Sequence, residues 1–162
     1  MNRVVLSAVC LLLVWGLAWG QDSLKGKEVP GSAMAASPGT GGSKAAFETI
    51  AKAWQEGKAE TLATFLGEGK VSILLPKVAG GVLSKSQAEY VLKDLFKYTV
   101  TERFEFTKYD EFVSEGVVGI AERSYRSGKE GPLSKDRISV WLVREGQGSP
   151  QWVIREIREV KP

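Results

Sequence analysis

The stretch VLSKSQAEYVLKDLFKYT, Val82 to Thr99, decides how the chain folds. Ser84 followed three residues later by Gln87 has the form of a capping box, in which each side chain bonds the other's free backbone N–H and starts a helix. At about 100° per residue, Ala88, Val91, Leu92, Leu95 and Phe96 fall within one arc, while Glu89, Tyr90, Lys93, Asp94 and Lys97 lie on the other side. The spacing predicts a helix over Ser84–Lys97 with one face in a core and one in water. Tyr90 and Asp94, which could serve acid–base chemistry, project from the wet side and read as solvated.

On either side of this helix the pattern has a different period. Upstream, KAAFETIAKAWQEGK repeats Phe47, Ile50, Ala51 and Trp54 at helical spacing, with Ser43 expected as its N-cap and Gly57 as its stop. A short second helix carries Leu62, Phe65 and Leu66; KVSILLPK is a buried strand ended by Pro76, and GGVL is a short strand or turn leading into the long helix. Downstream, the runs Glu102–Phe112, Val117–Tyr125, Arg137–Arg144 and Gln151–Val160 read as strands, separated by the turn-forming SEG, SGKEGPLSKD and EGQGSP. Helices in front and a four-stranded antiparallel meander behind make an α+β fold, with the N-terminal helices and the long helix packed on a curved, mainly antiparallel sheet.

The first 20 residues, MNRVVLSAVCLLLVWGLAWG, place one Arg before an apolar run and end on Ala-Trp-Gly. That order predicts a secretory signal cut after Gly20, and so export to the periplasm or the exterior with no stable membrane span left behind. Residues 21–43, rich in Gly, Ser, Ala and Pro, predict a flexible tether, and 44–162 the folded domain. Within the tether PGTGGSKAAF suggests a phosphate loop, but the order of Lys and Ser and the missing feeder strand do not fit one.

Cutting after Gly20 removes one of the 22 basic residues, leaving 21 against 19 acidic and a net charge near +2. Such a balance offers no footprint for nucleic acid. The chain has no His, and its single Cys, Cys10, lies in the signal, so the mature protein lacks the usual zinc and copper ligands and the parts of Ser–His or Cys–His catalysis. No metal and no cofactor is expected.

The order of elements, with EGKAETLATFL, KVSILLP and the terminal QWVIREIREV carrying Trp152, Ile154 and Ile157, resembles the nuclear transport factor 2-like superfamily over roughly Lys44–Val160. Within it, LSKSQAEYVLKDLF and VVGIAERSYRSG look most like a bacterial family of unknown function. The resemblance implies a cone-shaped α+β roll. Its members include ketosteroid isomerases, polyketide cyclases and dehydratases, whose carboxylate or His–Asp pair enters the cone, beside many without known catalysis. Here the strand carboxylates Glu105, Asp110, Glu111, Glu122 and Glu156 sit among Lys108, Arg123, Arg155 and Arg158, as cross-strand pairs on a wet face would. No catalytic residue is assigned.

Two functions from different classes follow. One is an exported, non-catalytic binding module that holds a small apolar ligand in the cone or a protein on the outer sheet face, with Phe104, Phe106 and Trp152 expected in the core. The alternative is a cofactor-independent isomerase, cyclase or dehydratase with a buried carboxylate as base and Tyr109 or Tyr125 as hydrogen-bond donor. A purely structural part in an envelope assembly also fits. In DRISVWLVRE, a period of two sends Ile138, Val140 and Leu142 inward and puts Arg137, Trp141 and Val143 on the outer face, as a candidate interface. The resemblance offers a homodimer as its occupant, and an envelope protein is the other.

Overall fold

The computed structural model describes residues 42–112, 116–147 and 151–161. The expected signal, and the expected tether up to residue 41, lie outside the described residues. Three helices, α1 (Ser43–Gln55), α2 (Ala59–Ala63) and α3 (Lys85–Tyr98), accompany six strands. These are β1 (Val71–Leu74), β2 (Gly81–Leu83), β3 (Thr99–Phe112), β4 (Gly116–Ser127), β5 (Leu133–Glu145) and β6 (Gln151–Glu159). They form one curved, unclosed sheet in the order β2-β1-β6-β5-β4-β3.

The α3 capping box is present: the Ser84 hydroxyl accepts from the Gln87 backbone N–H, and Gln87 Oε1 accepts from the Ser84 N–H at 2.9 Å. Ala88, Val91, Leu92 and Leu95 are buried, Phe96 is half-buried and Tyr90 is exposed. Ser43, by contrast, is the first residue of α1, and Gly42 occupies the cap position without a side-chain cap. At its other end α3 passes directly into β3. Thr99 is already extended, with φ −128° and ψ 136°, and stands opposite Ser127 in the ladder with β4. Its hydroxyl still closes the helix by donating to the Leu95 carbonyl at 2.8 Å.

β3 to β6 form the antiparallel meander, and β1 joins its far edge by pairing parallel to β6, with Ile73 opposite Ile157. The parallel pairing has no local signature, since its two partners lie at opposite ends of the domain. α1 lies along β3, and α3 packs on α2, on β1 and β2, and on the start of β3.

Between α1 and the sheet the interior is filled by aromatic rings. Phe47 meets Phe106 edge-on at 4.7 Å, and Trp54 stacks on Phe104 at 4.7 Å. Gly119 permits this filling, because a Cβ there would stand 2.6 Å from the Phe47 ring. Phe104 and Trp152 are buried and Phe106 half-buried, as the sequence pattern predicts.

Candidate functional site

The sheet's inner face is closed over most of its length and opens beside the C-terminal turn of α3. There a cavity of about 420 Å³ is walled by Asp94, Leu95, Lys97 and Tyr98 of α3, by Pro76, Lys77 and Val78 from the β1–β2 connection, and by Arg123, Tyr125 and Ser127 of β4. Its volume is in the range of small-molecule sites, about 300–1,000 Å³.

Arg123 dominates the wall. On β4 the alternation sends Val117, Gly119, Ala121, Arg123 and Tyr125 to one face, all buried. Arg123 therefore points into the core, with its side chain 2% exposed. This corrects its reading as a wet-face charge: it stands in phase with apolar inner residues, and its charge is met from the neighbouring strand. Asp136 of β5, directly opposite in the ladder and itself 6% exposed, receives Arg123 Nε at 2.9 Å and Nη2 at 2.5 Å. The guanidinium also lies over the Tyr125 ring at 4.1 Å and 6.0 Å from the Trp54 ring.

The fork thus spends one edge on Asp136. Arg123 Nη1 is buried with no hydrogen-bond partner among the described residues, and so are Trp54 Nε1 and Thr101 Oγ1. Thr101 stands opposite Tyr125 in the β3–β4 ladder and the Trp54 ring lies 6.0 Å from the guanidinium, so all three belong to the inner face, and of the three residues Arg123 lines the cavity. Buried polar groups in folded proteins almost always have a partner, which makes the cluster informative.

None of the five strand carboxylates lines this cavity. Glu105 pairs with Arg103, Asp110 with Lys108 at 2.9 Å and Glu156 with Arg158 at 3.3 Å, while Glu122 is exposed. Exposed Glu111 flanks a separate depression with Tyr109. Burial pushes the Tyr109 phenol above its ordinary value, and the charge of Glu48 adds to the rise. Of the other carboxylates near this cavity, Asp136 is held by Arg123, and Asp94, half-buried, lines the cavity with Tyr98 and Tyr125. Among the described residues no group of three or more acidic, His or Cys side chains could hold a metal ion.

Arg137, Trp141 and Val143 do share the outer face. There Trp141 stands opposite Val118 of β4 and Glu156 of β6. Arg137 is exposed and the other two half-buried, and Trp141 Nε1 is buried without a partner among the described residues. The sequence reading missed Arg123, Asp136 and the rim position of Asp94. The phase of Arg123 with Ala121 and Tyr125 was the available signal for the first.

Residues 47–119 match the model of a domain of unknown function (DUF4783). Among solved structures, a DUF4783 family protein from Bacteroides fragilis YCH46 is 19% identical, with 70% of this chain and 96% of that one covered and a TM-score of 0.57. A ketosteroid isomerase-like protein from Erwinia carotovora atroseptica SCRI1043 is 10% identical, covering 74% and 94% with a TM-score of 0.57. An NTF2-like protein of unknown function in nutrient uptake from Rhodospirillum rubrum ATCC 11170 is 16% identical, covering 71% and 95% with a TM-score of 0.51. No curated protein matches the chain. An α+β sheet of this order, with these structural neighbours, identifies the chain as having the nuclear transport factor 2-like fold, and its residues 47–119 match the domain of unknown function DUF4783.

Proposed function

We propose that the protein is an exported, non-catalytic binding domain that holds a small, largely apolar molecule in the cavity beside α3. The observation that carries this is the contrast within one core: aromatic rings fill the space under α1, whereas about 420 Å³ is left open between Leu95, Val78 and Tyr125. Interiors pack to crystal-like density, so an opening of this size is a selected feature more than a packing fault. Adding 4-phenylbutan-1-ol to the isotope-labelled protein should shift the resonances of Leu95, Val78 and Tyr125 saturably. Ser127→Trp, which fills the mouth, should abolish the response. An unchanged spectrum at millimolar probe would refute the reading.

A second copy of the chain on the outer sheet face is the accompanying proposal. Val118, Ile120, Trp141 and Val143 form a half-buried strip on that face, flanked by Lys108, Asp110, Arg137, Glu156 and Arg158. Charges of both signs around an apolar strip suit a twofold contact, in which each patch meets its own copy. Native mass measurement of the exported protein tests export and pairing together.

A further inference from the structure

We propose that the cavity beside α3 is a site for a small organic monocarboxylate, whose carboxylate accepts from Arg123 Nη1 while its apolar body lies against Val78, Leu95 and Tyr125. This rests on the cavity reading above and adds the charge class of the ligand. Asp136 takes the Nε–Nη2 edge of the guanidinium, so the two hydrogens of Nη1 remain without an acceptor among the described residues. Trp54 Nε1 and Thr101 Oγ1, on the same inner face, are in the same condition. Two of the three atoms can only donate, so this end of the core has N–H groups in want of an acceptor, and a carboxylate supplies acceptors alone.

The charge balance points the same way. Arg123 and Asp136 neutralise each other, and at the rim Lys77 and Lys97 face the single carboxylate of Asp94. Neither lysine takes part in an ion pair among the described residues. The one excess positive charge suits a monoanion better than a phosphate or a diacid. Lys77 holds φ at +66°, in the left-handed region that residues with a side chain seldom occupy, in the turn that forms this rim. The C-terminal end of α3 opposes an anion, but two of its carbonyls are already engaged: Leu95 O accepts from the Thr99 hydroxyl and N–H, and Tyr98 O accepts from the Gly128 N–H at 2.9 Å.

The test compares 4-phenylbutyrate with 4-phenylbutan-1-ol and 4-phenylbutylamine by NMR titration of the native protein. The acid should bind about tenfold more tightly than the alcohol, as one charge-assisted hydrogen bond allows, and the amine most weakly. Arg123→Met combined with Asp136→Leu replaces the ion pair by apolar side chains, a change that buried pairs tolerate; it should lose the preference, so that acid and alcohol bind alike. Arg123→Lys retains a cation beside Asp136 but removes the second edge of the fork, and it should lose the same preference. Equal binding of acid and alcohol to the wild type would overturn the monocarboxylate assignment and leave the apolar cavity standing. No binding of any of the three at millimolar concentration would overturn both. An acid preference that survives in the two variants would overturn the role of Arg123.

Discussion

At Arg123 the alternation of a strand and the cost of burying a charge pull in opposite directions. Alternation wins because Asp136 arrives directly opposite and takes two of its N–H groups. Removing only the anion leaves an uncompensated buried cation, so Asp136→Asn should cost about 3–5 kcal/mol. Asp110→Asn, which breaks the exposed pair with Lys108, should stay within about 1 kcal/mol. Urea denaturation of the two variants checks this, and equal losses would show that the Arg123–Asp136 pair is solvated. The site was legible only in part for the same reason. GVVGIAERSYRS displays the phase of Arg123 with Ala121 and Tyr125, but a charged side chain is acceptable inside only when a partner meets it. That partner lies thirteen residues onward, on another strand, where no local pattern reaches.

At the scale of elements, α3 was legible apart from the half-buried Asp94, since its determinants are local: the capping box, the arc of apolar residues and the exposed Tyr90 all lie within one span of sequence. Leu95→Ala should cost about 2–5 kcal/mol as a core truncation, whereas Tyr90→Ala, at a side chain 72% exposed, should stay within about 0.5 kcal/mol. Thermal unfolding of both variants measures the difference, and comparable losses would mean that the buried face is misassigned. Strand ends were less legible. β3 begins at Thr99 and β5 at Leu133, each earlier than their hydrophobic alternation suggests, because ladder hydrogen bonds to β4 extend them. Such pairing depends on the neighbour's backbone and not on the side chains that carry the pattern.

For the whole molecule, native mass spectrometry of the exported protein should show a chain beginning at Gln21 and assembled as a dimer, and Trp141→Asp should return a folded monomer. A mass that retains Met1 would refute export, and a wild-type monomer at high concentration would refute the outer-face contact. The parallel pairing of β1 with β6 carries a consequence in time. Ser72 meets Glu156 across a sequence separation of 84 residues, and the isolated bridge between Leu66 and Ile154 adds to the same seam. Non-local pairings of this kind slow folding, because a long loop must close before any contact rewards it. During synthesis β1 emerges early and waits for its partner while α3, β3, β4 and β5 are made, so the edge of the sheet that it completes forms only after the meander has been laid down.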